Sequence, residues 1–194
     1  MTSVIPSAAR GSAFLAGRKS RSLAALGMTI IRRMLPILIA SDHAGFELKE
    51  KLEAWLREMG YDVSDLGTDS DASTDYADYA HPLAQRVSDG VADRGVLLCG
   101  TGLGMSYVAN RYPHVRAAVA WSPEIAELAR RHNDANVLAL PARFLSEEKA
   151  KQILRTWLDT PFEGGRHERR IQKIDANIGA APNEGGRSQP TETR

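Results

Sequence analysis

The chain predicts an α/β fold: a three-layer α/β/α sandwich around a five-stranded, mostly parallel, doubly wound sheet. Three observations lead there. Over residues 34–178, five short apolar runs alternate with longer segments in which apolar residues recur at helical spacing. The switches of period fall at Gly, Pro or Asn-Asp punctuation, as βα units joined by tight connections require. One run, Gly95-Val96-Leu97-Leu98-Cys99, opens directly into Gly100-Thr101-Gly102-Leu103-Gly104-Met105-Ser106, which reads as a strand, an anion-cradling turn and a helix start. Residues 34–178 show no internal repeat and no domain boundary.

Ile37 to Ala40 is a short buried strand, followed by Ser41-Asp42-His43-Ala44-Gly45 and a helix from Phe46 to Met59. Phe46, Leu48, Leu52, Trp55, Leu56 and Met59 form that helix's apolar stripe, and Gly60 stops it. Tyr61 to Leu66 is the second strand. A polar loop from Gly67 to Asp78, holding Asp75 and Tyr76, leads to a helix carrying Ala80, Leu83, Ala84 and Val87 that ends at Gly90. Gly95 to Cys99 is the third strand, and Met105 to Arg111 belongs to the next helix. Val115 to Trp121 makes the fourth strand. Ser122, Pro123 and Glu124 then supply an N-cap, a first-turn proline and a first-turn acid to a helix reaching Arg131. Val137 to Leu140 is the fifth strand. Ser146 caps a helix whose Ala150, Ile153, Leu154, Trp157 and Leu158 follow an i, i+3, i+4, i+7, i+8 stripe. Arg166 to about Ile178 is expected as a last helix, with Ile171, Ile174 and Ile178 on its inner face. Residues 1–33 are expected to be a leader outside the fold, either a disordered arm or translated upstream sequence before a natural start at Met34. Residues 179–194 read as a disordered tail.

Composition narrows the function classes. The chain of 194 residues carries a net charge of +1, but its first 33 residues hold six Lys/Arg and no acid, leaving 19 basic against 24 acidic groups in the remainder. A mildly acidic body argues against a dedicated nucleic-acid binder. A single cysteine cannot form an internal disulfide, which favours a reducing, cytoplasmic setting. No apolar run approaches the roughly 18 residues of a membrane span.

The central turn fails three phosphate motifs. Gly95 and Gly100 have P-loop spacing, but Thr101 occupies the lysine position; a dinucleotide fingerprint would need glycine at Met105, and a cysteine phosphatase would need arginine there. What remains is a thiol beside N–H donors. Packing of a lone cysteine at a strand end is the bland alternative. The functional reading expects Gly100, Gly102 and Gly104 to let a ligand oxygen approach the backbone. A helix N-terminus adds about 0.3–1 kcal/mol toward an anion. Arg166 and Arg170, at i and i+4 beside Gly164-Gly165, suggest a phosphate clamp, although Glu163 and Glu168 leave a solvated basic face as an equal alternative. Arg143, just after the fifth strand, is expected at the same sheet edge as that pair. Asp42-His43 and His132-Asn133 stand beside predicted strand ends. The five histidines, at 43, 81, 114, 132 and 167, show no metal-ligand spacing, so no metal is expected.

Five segments in order then carry a resemblance: Ser41-Asp42-His43-Ala44-Gly45-Phe46, Thr74-Asp75-Tyr76, Cys99-Gly100-Thr101-Gly102-Leu103-Gly104, His132-Asn133-Asp134-Ala135-Asn136-Val137 and Phe162-Glu163-Gly164-Gly165-Arg166-His167. Over about residues 35–175 the chain resembles the B-type ribose-5-phosphate isomerases, a family that includes the galactose-6-phosphate isomerase subunits. The resemblance implies a flavodoxin-like or Rossmann-like sandwich and a homodimer or homotetramer with its site at the subunit interface. It also implies a sugar-phosphate substrate, a place in the pentose phosphate pathway, and no metal or organic cofactor, nucleic acid or membrane partner. By position, Cys99 resembles the base that moves a proton between C1 and C2, and Thr101 its neighbour at the hydroxyls. The N–H groups of Gly100, Gly102, Leu103 and Gly104 resemble the enediolate's oxyanion hole. His132 matches the ring-opening residue, assisted by Asp42 and Tyr76, and Asn133 matches a sugar contact. His43, Arg143, Arg166 and Arg170 match the phosphate set. Pro141 stands where the family pattern has glycine.

The chemistry agrees. Aldose–ketose isomerisation needs one base and preorganised donors for the developing oxyanion, and a remote phosphate lends binding energy for positioning. The expected activity is interconversion of ribose 5-phosphate and ribulose 5-phosphate. A hexose 6-phosphate isomerase of the same family and a non-catalytic sugar-phosphate-binding module are the alternatives.

Overall fold

The computed structural model describes residues 35–176; the expected leader, the tail and Ile178 lie outside the described residues. Eleven elements follow in order: β1 (Ile37–Ser41), α1 (Phe46–Glu58), β2 (Val63–Asp65), α2 (Tyr76–Ser88), β3 (Arg94–Cys99), α3 (Leu103–Ala109), β4 (Ala117–Val119), α4 (Pro123–Asn133), β5 (Val137–Pro141), α5 (Glu147–Asp159) and α6 (Glu168–Ile171). The sheet runs β2-β1-β3-β5-β4, with every pairing parallel.

Alternation along the strands divides the core in two. Ile37, Ile39, Val96, Leu98, Leu138 and Leu140 face α1, α4 and α5, whereas Leu38, Ala40, Leu97, Cys99 and Val137 face α2 and α3. The three central strands are covered on both faces, which is why they read as unbroken apolar runs. Trp157 of α5 is fully buried and donates its Nε1–H to Ala135 O at 3.1 Å, fixing that helix to the entry of β5. Ser122 and Ser146 cap α4 and α5 as their sequences require, accepting the N–H groups of Ile125 and Lys149. Among the described residues no helix is long and apolar enough to cross a membrane.

Three expectations change. The edge strands β2 and β4 keep only three residues each, because each has a neighbour on one side only. The open side of β4 is closed by a side chain instead: Asn110 donates Nδ2–H to Ala117 O at 2.9 Å and accepts Ala117 N–H at 2.8 Å. Tyr76 belongs to the first turn of α2 rather than to the preceding loop. The last helix shrinks to a 3₁₀ turn over Gly165–His167 and the four residues of α6, with Ile171 only partly buried and Ile174 half exposed. Two isoleucines among charged neighbours bury too little surface to sustain a longer helix at the periphery.

The turn after β1 crosses the end of β3 at very close range. A Cβ on Gly45 would lie 2.7 Å from Leu98 Cβ and 2.9 Å from the Leu98 carbonyl carbon and oxygen. Gly45→Ala is therefore expected to cost about 1–3 kcal/mol through overpacking. Urea denaturation would register this as a lower midpoint with an unchanged slope.

Candidate active site

β1 lies between β2 and β3, so the chain departs to opposite sides of it, and the carboxyl ends of β1 and β3 flank the topological switch point. Open α/β sheets take ligands there. Asp42 arrives from β1. Its N–H donates to Leu98 O at 3.2 Å, and its buried carboxylate accepts the N–H groups of Ala44 (2.9 Å) and Gly45 (3.1 Å) through one oxygen. His43, half-buried beside it, accepts Thr74 N–H on Nδ1 at 3.2 Å.

Cys99 ends β3 and is 4% exposed. Its sulfur accepts the N–H of Gly102 at 3.1 Å, a contact that Gly102 reaches from the left-handed region at φ 74°. Thr101 is exposed, and its hydroxyl accepts Leu103 N–H at 3.3 Å as α3 begins. The turn thus brings Cys99, Thr101 and the first N–H groups of α3 to one edge.

Side chains of the same chain pack close over the three glycines. A Cβ on Gly100 would meet the Arg143 side chain at 3.2 Å, one on Gly104 the Tyr76 ring at 2.8 Å, and one on Gly102 Val119 and Leu140 at 3.2 and 3.3 Å. The missing side chains at Gly100 and Gly104 make room for this chain's own Arg143 and Tyr76. Arg143 is held there by its N–H on Gly100 O at 3.2 Å, in the 3₁₀ turn that follows Pro141. Proline at the end of β5 is thus compatible with Arg143 at the turn.

The remaining candidates lie at the other end of the sheet. α4 and α5 run back against the strands, so His132 and Asn133 close α4 near the entry of β5, and residues 160–171 follow α5 to the same end. Glu163 N–H donates to Arg131 O at 3.0 Å. Cys99 is in register with Pro141, and the length of β5, about 13 Å at the rise of a parallel strand, separates that level from Val137. One chain therefore does not bring Cys99 and His132 together. The expectation that Arg143 shares a sheet edge with Arg166 and Arg170 fails for the same reason: helices antiparallel to the strands carry their C-terminal residues to the opposite end.

At this second end Asp134 adopts φ 46° and receives Arg130 and Arg116 at 2.8 Å each, while Arg116 Nε–H donates to the carbonyls of Asn133 (3.1 Å) and Asp134 (3.0 Å). The two guanidinium groups clamp the turn that carries His132 and Asn133. The His132 and His167 rings stack with centroids 4.4 Å apart and planes 6° from parallel. Glu163 reaches both: Oε2 is 3.9 Å from His132 Nε2 and Oε1 is 3.9 Å from His167 Nε2, with Arg131 on Oε2 at 3.0 Å. Arg166 and Arg170 are exposed, and Arg166 Nε–H donates to His167 Nε2 at 3.3 Å.

Sequence spacing suggested no metal ligands, yet the fold gathers His132, Glu163 and His167 so that their ligating atoms lie within 4.8 Å of one another. Their lone pairs are already engaged or divergent. Arg166 occupies His167, Arg131 occupies Glu163, and parallel rings aim their nitrogens side by side rather than at one point.

Burial, then the neighbouring His132 and Arg166, push the His167 imidazole below its ordinary value of 6.5, with Glu163 opposing. A histidine depressed in the fold binds protons more readily when unfolded. Its stability contribution is complete above about pH 6.5 and is lost as the pH falls below that value. His167→Gln is expected to lose less stability than wild type on titration from about pH 7.5 to 5.5, as read by thermal unfolding across that range.

Glu163 and His167 stand in a motif segment of the sequence without a site role assigned to them, although Glu163-x-x-x-His167 is a visible i, i+4 spacing. Arg116 has no local signal, and Asp134 stands in a motif segment without a role of its own, because their pairing is a contact across 18 positions.

Sheet, switch point and thiol-bearing turn define an α/β protein of the doubly wound, flavodoxin-like class, here with the last two strands in the order β5-β4. The family model described as Ribose/Galactose Isomerase matches residues 37–174, and the chain belongs to that family. Ribose-5-phosphate isomerase B of Escherichia coli is 46% identical over 143 residues, covering 74% of this chain and 96% of the relative. A crystal structure of a ribose 5-phosphate isomerase from Thermotoga maritima is 56% identical with a TM-score of 0.72, over 73% of this chain and 98% of that one. Ribose-5-phosphate isomerase B from Mycoplasma genitalium, solved with bound ribulose-5-phosphate, is 41% identical with a TM-score of 0.72, over 75% and 97%.

Proposed function

We propose that this protein interconverts ribose 5-phosphate and ribulose 5-phosphate through an enediolate, with Cys99 as the base and no metal or organic cofactor. The observation that carries it is the Cys99 sulfur receiving the Gly102 N–H at 3.1 Å, at the switch point of a chain in this family. Cys99 takes the proton from C2 of the open-chain aldose, the electron pair forms the C1–C2 double bond, and O1 becomes the oxyanion. The N–H groups of Gly100, Gly102, Leu103 and Gly104 would stabilise that charge, those of Gly102 and Leu103 turning to it from Cys99 Sγ and Thr101 Oγ1, and Thr101 moves the hydroxyl proton. Return of the proton to C1 gives the ketose. His132 opens the furanose ring, with Asp42 and Tyr76 assisting, and Asn133 contacts the sugar. His43, Arg143, Arg166 and Arg170 hold the phosphate.

Because Cys99 and His132 stand at opposite ends of one chain, the reading requires two copies. A homodimer, or a tetramer of such pairs, would place the Cys99 edge of one subunit against the His132 end of the next, twice over by symmetry. Exposed apolar residues at the Cys99 edge support this: Leu103 and Tyr107 on α3, Tyr76 on α2, and Trp121 and Phe144 after β4 and β5. The unpaired thiol suits a cytoplasmic setting, and the activity would serve the pentose phosphate pathway.

The test is isomerase activity of purified protein on ribose 5-phosphate, allose 6-phosphate and galactose 6-phosphate in parallel. A kcat/KM favouring the pentose is expected. Preference for a hexose would move the substrate, and no turnover on any would leave a binding module. Arg166→Ala is expected mainly to raise KM for ribose 5-phosphate, whereas an unchanged KM would return Arg166 to a solvated face.

A further inference from the structure

Glu163 lies outside the catalytic and phosphate sets, yet it is tied to three members of the second end at once. Its N–H is anchored on Arg131 O, one residue before His132, and its carboxylate meets Arg131 at 3.0 Å and the Nε2 atoms of His132 and His167 at 3.9 Å each. Among the described residues the other contact on the His132 ring is a stack: His167, 4% exposed and pinned by the Arg166 donor, lies parallel to it. Among the described residues no group hydrogen-bonds His132 Nδ1. The imidazole thus has one edge turned to a carboxylate, one face fixed by a second ring, and its other nitrogen open.

We propose that Glu163 is the positioning residue of His132, holding Nε2 toward its carboxylate so that Nδ1 carries the proton transfers of ring opening, with the stacked His167 ring fixing the plane. This rests on the isomerase reading. In that step Nδ1 takes the proton of the anomeric hydroxyl, whose electron pair forms the C1 carbonyl. The bond from C1 to the ring oxygen breaks, and the ring oxygen takes the proton back from Nδ1. An imidazolium forms and disappears within the step. A carboxylate fixed at its far edge orients the ring and stabilises that transient charge without itself becoming protonated, as the acid of a Ser-His-Asp triad does. Glu163 is suited to this because its ion pair with Arg131 favours the charged form: that hydrogen bond, with further help from His167 and His132, holds its carboxyl below the usual range.

The two directions of the reaction separate ring opening from everything else. Ribose 5-phosphate is predominantly a furanose, whereas ribulose 5-phosphate is open-chain, because the oxygen that would close its five-membered ring carries the phosphate. An open-chain aldose released in the reverse direction closes in solution without the enzyme. Glu163→Gln is expected to lower turnover of ribose 5-phosphate at least tenfold, a modest share of what a proton-transfer residue contributes, while changing turnover of ribulose 5-phosphate less than about twofold. Its forward rate would also stop rising with enzyme concentration once spontaneous ring opening limits it. Glu163→Asp, which keeps the carboxylate, is expected to recover part of the forward rate. Equal losses in both directions for Glu163→Gln, or none in either, would overturn the proposal. His132→Gln in parallel separates the levels: loss in the forward direction alone upholds the ring-opening role on which the proposal stands, and equal loss in both directions would remove that role itself.

Discussion

Cys99→Ala is expected to reduce kcat by about 10²–10⁴, the usual contribution of a general base, while leaving the fold and phosphate binding in place. The fold should tolerate the change because Cys99 ends its strand and alanine keeps its Cβ. Only the sulfur is removed from a position whose backbone pairs with Pro141 through the sheet. Binding of a non-reacting sugar phosphate, measured by calorimetry, and kcat, measured on ribose 5-phosphate, should therefore part company. Turnover at the wild-type level would reduce Cys99 to a packed core thiol. Weakened binding alongside lost turnover would point to collapse of the Gly100–Gly104 turn.

Mixing two inactive variants should restore activity. If each site takes Cys99 from one subunit and His132 from the other, Cys99→Ala and His132→Ala homodimers each have two damaged sites. A heterodimer of the two concentrates both lesions in one site and leaves the other intact. After random subunit exchange about half the dimers are mixed, so roughly a quarter of wild-type activity is expected from twofold symmetry. A site built within one chain would stay dead on mixing. The strand-length separation of the two ends within a subunit makes recovery the expected result, and the assay needs only turnover before and after exchange.

Legibility in the sequence follows the range of the interactions involved. β1, β3, β5, α1 and α5 could be read because their patterns are local: apolar runs covered on two faces, or a stripe at helical spacing with a serine or glycine at its end. The same held for the Cys99 turn, where strand, glycines and helix start are consecutive. β2 and β4 were overdrawn because strand length at an edge depends on how far one neighbour pairs, which the residues themselves do not encode. The last helix was overdrawn because its isoleucine spacing is helical but nothing large enough lies beneath it, so Ile174 remains half exposed. Glu163 reads in sequence only as an acidic neighbour of Arg166 and Arg170, since a glutamate gains a role only from what folding sets against it.

By itself the sequence determined the fold class and the family and named the candidate residues, because hydrophobic period, turn residues and short motifs are properties of consecutive positions. Only the tertiary structure decided where those residues stand. It set Asp42 and Cys99 together across the β1/β3 switch point and filled the glycine clearances with Arg143 and Tyr76. It also stacked His132 on His167 under Glu163, at the far end of the sheet from the thiol. Helices that return antiparallel to their strands carry residues next to a strand in sequence to the opposite end of the sheet from its carboxyl terminus. Which end a residue reaches is set by chain direction and packing, and no local pattern records it.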